Sequence, residues 1–273
     1  MVWPRVLVKG AAVLVWLLGG AGILIVVFPW LRRFNPAVCD AIRCLWFRGL
    51  AMILKIHVVV RGAAVEGASL VVSNHISWLD VVVLGIQAPF TFVAKIEVAD
   101  WPVIGFLARA SGTLFIERGS LRAALALVQA IADRLKAGER VVVFPEGTTT
   151  CGRAVLPFSG AVFQAAILSR CPVQPVAVRY LGEAAELAPF LADAMFVPHL
   201  LQVLKLDRLE AILSWSPPLP AREPREILAE RARAAILNRM RTPDAEGGDQ
   251  TAGAFRIALK ARRTRHWSFK VRA

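Results

Sequence analysis

The stretch Leu70-Val71-Val72-Ser73-Asn74-His75-Ile76-Ser77-Trp78-Leu79-Asp80 decides the reading of the fold. A short apolar run gives way, across the polar residues Ser73 to His75, to a segment with helical character, which makes a strand-to-helix corner. Outward from it the same alternation recurs. Short β-rich runs stand at Phe92 to Ala94, Leu114 to Ile116, Arg140 to Phe144, Val173 to Tyr180 and Arg208 to Trp215. Helical periodicity fills most of the gaps, best in Ser120 to Lys136 and Glu223 to Arg241. The pattern predicts an α/β sheet domain.

Loops at strand ends are where α/β sheets assemble their sites. His75 and Asp80 are five residues apart, about 140° around one ideal helix, so they meet only if His75 precedes the first turn while Asp80 lies within it. A strand-to-helix corner supplies that geometry. Histidine takes a proton near neutral pH, and a carboxylate on its second nitrogen fixes the tautomer and stabilises the imidazolium. No GxSxG or similar elbow is present, so direct attack by a substrate hydroxyl is more natural than a covalent intermediate. Taken alone, the block also reads as mere structure, with Asn74 or Ser77 a helix cap, Asp80 a first-turn charge and His75 incidental.

With 273 residues the chain holds one sizeable domain plus an appendage. Hydrophobic residues make up 56%, above the roughly 45–50% of an ordinary soluble domain, which points to contact with a bilayer. Lys and Arg number 33 against 20 Asp and Glu, for a net +13. Seven of those cations (Arg256, Lys260, Arg262, Arg263, Arg265, Lys270 and Arg272) fall after Thr251 with no acid among them. No helix-turn-helix, zinc-finger or RNP pattern accompanies the charge, so lipid headgroups are the expected partner and nucleic acid is not. The four cysteines, Cys39, Cys44, Cys151 and Cys171, form no CxxC pair and have no histidine at zinc spacing, and reduced thiols are expected.

Gly10 to Leu31 is an uncharged run of 22 residues, matched at about 1.5 Å each to a hydrocarbon core of roughly 30 Å, able to span or to dip in at an angle. It is longer than a signal-peptide core and no small-x-small site follows before Arg32 and Arg33. Arg5 and Lys9 precede the run while Arg32, Arg33, Arg43 and Arg48 follow, so the positive-inside tendency places the downstream chain in the cytoplasm. Ala37 to Ile56 reads equally as an interfacial helix or an ordinary amphipathic packing helix. Trp3, Trp16, Trp30 and Trp46 read as interfacial anchors, with packing the close alternative. His57, His199 and His266 stand in no motif and read as structural or surface residues. Thr242 to Gly253 reads as a flexible linker.

Three further blocks change the weight given to His75 and Asp80. Gly112-Thr113-Leu114-Phe115-Ile116-Glu117-Arg118 ends a strand with a cation, Phe144-Pro145-Glu146-Gly147-Thr148 ends another with a turn, and Val173-Gln174-Pro175-Val176 begins a third. With Asn74-His75 and Asp80 these blocks resemble the glycerolipid acyltransferases of the bacterial 1-acylglycerol-3-phosphate type. The family signature is Asn-His-x4-Asp, then Gly-x-x-Phe-Ile-x-Arg, then Phe-Pro-Glu-Gly-Thr, then Val-x-Pro-Val, and all four occur in order between Asn74 and Val176.

The resemblance implies a mixed central sheet flanked by helices, with an N-terminal membrane-anchoring helical segment. Its expected divisions are 1–57 for the anchor, 58–241 for the acyltransferase domain and 242–273 for the linker and basic tail. His75 and Asp80 fall on the catalytic pair, and Arg118 on the cation for the acceptor headgroup. Glu146, Gly147 and Thr148 belong to the block that shapes the acceptor site, and Lys95 is a candidate substrate cation or equally a surface one. The implied reaction moves a fatty acyl group from acyl-CoA or acyl-carrier protein to a lysolipid hydroxyl at the cytoplasmic face of the inner membrane, with no metal or organic cofactor. 1-Acylglycerol-3-phosphate is the first acceptor implied. Two departures bear on it: Thr149 stands where the family commonly has Arg, and Ser159, in Pro157-Phe158-Ser159-Gly160, where it commonly has Lys. Gly-Thr-Thr also resembles the branch that acylates lyso-ornithine lipid, as does the stretch from Phe92 to Pro102, and that lipid is the alternative acceptor. Arg153 is a second candidate to replace the missing charge. A non-catalytic membrane-binding protein of the same fold is the remaining alternative.

Overall fold

The computed structural model describes residues 2–117, 119–191 and 194–241, apart from the side chains of Val2, Pro29, Arg32 and Pro36. The linker and basic tail expected over 242–273, His266 included, lie outside the described residues. Three helices open the chain, α1 (Val2–Val26), α2 (Phe28–Phe34) and α3 (Pro36–Leu54), followed by β1 (Ile56–Arg61) and β2 (Ser69–Ser73). Then come α4 (Leu79–Gly85), β3 (Thr91–Lys95), α5 (Ile104–Ala110), β4 (Leu114–Ile116), α6 (Leu121–Lys136) and β5 (Arg140–Val143). The chain closes with α7 (Phe163–Ser169), β6 (Val173–Leu181), α8 (Glu183–Leu187), α9 (Phe196–Lys205), β7 (Leu209–Trp215) and α10 (Arg225–Arg241).

The seven strands form one sheet in the order β1-β7-β6-β2-β5-β3-β4. From β6 to β4 neighbouring strands run parallel, whereas β7 is antiparallel to β6 and carries β1 parallel to itself, so the sheet is mixed. β2 lies at its centre with every residue buried, which is why its sequence is a continuous apolar run rather than an alternation. One core layer gathers Val71, Leu79, Val83 and Leu213 with Leu50 and Leu54 of α3. The other packs Leu70, Val72 and Phe163 against Ile131 of α6 and Leu228 of α10.

The six strands expected from the sequence are present with ends shifted by at most a residue, and a seventh, β1, is added. β1 is an edge strand with no fully buried residue, and it follows α3 with no glycine or proline between them. The helix is ended by Lys55 in the left-handed region at φ 54°, a role usually taken by glycine, so the usual stop signal is missing. The boundary expected at 57/58 falls inside this strand. The uncharged run Gly10 to Leu31 is also divided. Pro29 sits in the first turn of α2, where its missing N–H costs nothing, and the division between α1 and α2 falls at Val27.

α1 is still long and apolar enough over Trp3–Val26 to cross a membrane, but it is bound to the body of the fold. Val6 and Val13 are core residues, Arg5 pairs with Asp207, and the Lys9 Nζ donates to the Leu206 carbonyl at 2.7 Å. Trp16 and Trp46 are packing residues rather than anchors. The Trp16 Nε1 donates to the Trp46 carbonyl at 3.0 Å, and each ring fills the space beside a glycine of the opposite helix, Trp16 at Gly49 and Trp46 at Gly20. Trp3 and Trp30, by contrast, are 68% and 72% exposed.

Candidate active site

The parallel half of the sheet sends its C-terminal ends to one edge. Val72 of β2 faces Val143 of β5 in register, so the segments that follow, Ser73 to Trp78 and Phe144 to Thr150, emerge side by side. β3 brings Lys95 to the same edge, and β4 ends beside it with Ile116 opposite Lys95. Arg118, two residues further on, lies outside the described residues.

Asn74 continues the ladder past the end of β2. Its side chain accepts from the Val178 N–H at 2.8 Å and donates to the Val178 carbonyl at 3.0 Å, a two-point clamp on β6. The clamp fixes where the chain turns, and the turn presents His75 outside α4 while Asp80 lies in its first turn. His75 Nδ1 and Asp80 Oδ2 are 2.8 Å apart. Asp80 is fully buried, yet its carboxylate is satisfied by four groups. Oδ2 also accepts from the Ile76 and Ser77 N–H groups at 2.7 and 3.0 Å, and Oδ1 accepts from the Tyr180 hydroxyl at 2.7 Å. An acceptor carboxylate on Nδ1 makes that nitrogen the donor and leaves Nε2 with its lone pair. The His75 ring stacks on Phe144 at 4.0 Å, which sets its plane.

Glu146 braces the two segments together. Its Oε1 accepts from the His75 N–H and its Oε2 from the Leu156 N–H, both at 2.8 Å. Burial pushes its carboxyl above its ordinary range, and the two N–H bonds oppose that shift. Both of its oxygens are thus engaged by backbone N–H groups. Gly147 turns the chain at φ 67°, a left-handed conformation suited to glycine, with its N–H on the Phe144 carbonyl at 3.0 Å.

His75 opens on a cavity of about 1040 Å³ that runs between α1, α3 and α5. Its walls are mainly apolar, with Leu17, Trp46, Phe47, Ile104 and Leu107 among them. Gly147, Thr148, Thr149, Ser159 and Lys95 also line it and share that space with His75. Thr149 is fixed by its hydroxyl, which donates to the Phe190 carbonyl. Arg153 faces elsewhere, paired with Glu186 at the surface at 3.1 Å. His199 is structural: Nδ1 accepts from the Trp78 Nε1 at 3.0 Å, so Nε2 carries the proton and donates to the Pro189 carbonyl. Burial keeps its pKa below the ordinary value, consistent with a neutral ring. Among the described residues no cluster of His, Cys, Asp and Glu is arranged to hold a metal.

An acyltransferase family model matches residues 55–179, the span from β1 to β6. The lyso-ornithine lipid O-acyltransferase of Pseudomonas aeruginosa is 38% identical over 194 residues, covering 70% of this chain and 75% of its own. The chain belongs to the acyltransferase family. A second lyso-ornithine lipid O-acyltransferase, from Rhodobacter capsulatus, is 37% identical over 222 residues, 78% of this chain and 77% of its own. A 1-acyl-sn-glycerol-3-phosphate acyltransferase of Neisseria meningitidis is 36% identical over 166 residues, 59% and 65% of the two chains. The fold is shared with the 1-acyl-sn-glycerophosphate acyltransferase structure from Thermotoga maritima, at TM-score 0.58 and 20% identity over 91% of this chain and all of that one. The mixed sheet with its flanking helices is thus the architecture of an acyltransferase.

Tyr180 was not marked by the sequence, although it is the sole tyrosine in the chain. Burial first, then the Asp80 charge and the bond to it, hold its hydroxyl well above the ordinary tyrosine pKa, so it stays a donor. Tyr180→Phe leaves Asp80 Oδ1 unpaired in a site closed to water, and the expected loss of stability is about 1–3 kcal/mol. Chemical denaturation measures it, and a variant as stable as the parent would mean that water reaches Asp80.

Proposed function

We propose that this acyltransferase moves a fatty acyl group from a thioester donor, acyl-CoA or acyl-carrier protein, to the free hydroxyl of a lysolipid, with lyso-ornithine lipid as the preferred acceptor. In this reading His75 Nε2 removes the hydroxyl proton as the acceptor oxygen attacks the thioester carbonyl. The new ester bond forms, the C–S bond breaks, and the imidazolium returns the proton to the leaving thiolate. Asp80 holds the tautomer and stabilises the charged ring, and Tyr180 and Glu146 hold the two segments in place. The imidazole supplies the base, so the mechanism calls for no metal or organic cofactor. Arg118 grips the headgroup, and the apolar cavity takes the acyl chain.

The observation that carries the acceptor is the cavity wall beside His75, where uncharged Thr149 and Ser159 stand. The identities of 38% and 37% to lyso-ornithine lipid enzymes support it. 1-Acylglycerol-3-phosphate is the second reading, favoured by Lys95 in the same wall. Transfer of radiolabelled palmitate from palmitoyl-CoA to a panel of lysolipids by the purified protein tests both. Labelled ornithine lipid as the main product is expected, and a panel in which no lysolipid is acylated refutes the proposal.

We further propose that the protein sits on one leaflet, its catalytic edge turned to the cytoplasm. α1 is about 37 Å long, yet it is held along most of that length, through Arg5 and Lys9 near its start and through Gly20 against Trp46 of α3 further on. A helix so held lies along the body, and its exposed apolar side chains enter the bilayer with those of α2 and α3. Deleting the helix would strip Val6 and Val13 from the core, so the sharper test is on the surface. Trp3, Leu7, Trp30 and Phe34 are each about 70% exposed. The full chain should stay on membranes through a high-salt wash, and replacing all four by Glu should release it. Release of the parent chain by salt alone would remove the apolar anchor from the account.

A further inference from the structure

A second recess, of about 580 Å³, lies between β6, α10 and the loop that carries Gly152 to Val155. Four arginines line it, Arg153, Arg179, Arg233 and Arg241, with no acid in the wall. Glu186 and Glu230 stand at its rim, paired with Arg153 and Arg233. Arg233 also donates to the Val155 and Leu156 carbonyls, at 2.9 and 3.0 Å, and Arg179 to the Met240 carbonyl at 2.9 Å, so two of the cations are held in place by backbone. Val155 and Met240 give the recess an apolar side. None of the mechanism above uses it.

The loop that forms one wall of this recess is also tied to the catalytic corner. The Thr150 N–H donates to the His75 carbonyl at 2.8 Å, and the Leu156 N–H to Glu146 at 2.8 Å. Gly152 lies against Ile76, and at φ 76° a Cβ there would come within 2.8 Å of the Ile76 side chain. Arg153 follows Thr150 by three residues, at most about 11 Å of chain. The apolar cavity and the recess therefore share this loop, residues 147–149 lining the one and 152–155 the other.

We infer that this recess binds the phosphates of the donor, taking the adenosine 3′-phosphate 5′-diphosphate end of coenzyme A, and the inference rests on the acyl-transfer reading above. With the acyl chain in the apolar cavity and the thioester at His75, the polar remainder of the donor must leave past the 147–156 loop. Arg153 lies within the length of a pantetheine arm of that point. Guanidinium groups grip phosphate through paired N–H donors, and four of them match a ligand with several phosphate charges. A concave recess of this volume suits a nucleotide, with Met240 and Val155 against the base. An acidic carrier protein docks on an open surface and needs no such hollow. The recess is built by β6, α10 and the 152–155 loop, and none of α1 to α3, which carry the exposed apolar face, lines it.

The test uses the full chain in detergent and the variant with both Arg153→Glu and Arg241→Glu, the two exposed members of the set. Calorimetric titration with free coenzyme A and with adenosine 3′,5′-bisphosphate should give a Kd roughly tenfold or more weaker in the variant. The kcat/KM advantage of palmitoyl-CoA over palmitoyl-pantetheine, which has no phosphate, should fall by the same factor. Unchanged binding of both probes overturns the inference, as does an equal loss with both thioesters, which marks a structural effect. A defect seen only with acyl-carrier protein, or only in binding to anionic vesicles, overturns it in favour of those partners. If no donor supports transfer in the parent chain, the proposed function fails while the two titrations still decide the recess.

Discussion

His75→Ala is expected to lower acyl transfer by about 10²–10⁴-fold, with expression and membrane association retained, because a positioned general base contributes on that order. The side chain is only partly buried, at 21% exposure, and what it loses in packing is the stack on Phe144. The backbone bonds that shape the corner, from His75 N–H to Glu146 and from Thr150 N–H to the His75 carbonyl, do not involve the ring. Asp80→Asn should lower the rate similarly. An amide at Oδ2 faces the Ile76 and Ser77 N–H groups, which need an acceptor, so the oxygen turns there and Nδ1 loses its carboxylate. Steady-state transfer with palmitoyl-CoA measures both, and turnover near that of the parent in either variant would exclude the proposed roles.

The second large effect concerns the acceptor. A phosphate monoester carries nearly two charges at pH 7, and Thr149 and Ser159 stand in the cavity wall where the family commonly places cations. A charge-assisted hydrogen bond is worth about 1.5–3 kcal/mol, tenfold or more in affinity. Thr149→Arg together with Ser159→Lys should therefore raise kcat/KM for 1-acylglycerol-3-phosphate relative to lyso-ornithine lipid by roughly 10²-fold. The parent chain should use the phosphate acceptor with a high KM. Efficient use by the parent, unimproved in the double variant, would mean that cations elsewhere in the cavity do this work, with Lys95 the first to test.

Much of this was legible in the sequence because β2, β5 and β6 are buried and bounded by turn chemistry. The corner at Ser73 to Asp80 was readable for the same reason, since a buried strand followed by a polar turn leaves few ways to join His75 to Asp80. β1 escaped because it is an edge strand, half exposed and entered through a left-handed lysine. Tyr180 escaped because its partner lies 100 residues away, and a single tyrosine in an apolar strand reads as core. Trp16 and Trp46 misled in the other direction: a tryptophan beside an apolar run suits an interface, and only the facing glycines show that it fills a helix contact. Glu146 belongs to a recognisable block, yet only the fold shows its carboxylate turned onto two backbone N–H groups.

Direct transfer is the centre of the account, and a single-turnover experiment tests it most plainly. Enzyme in excess is mixed with palmitoyl-CoA labelled in the acyl group, with and without lyso-ornithine lipid, and quenched in acid. The label should pass to the lipid when the acceptor is present, and none should stay on the protein when it is absent. Label held covalently by the protein without acceptor, on Cys151 or any other nucleophile, would contradict it.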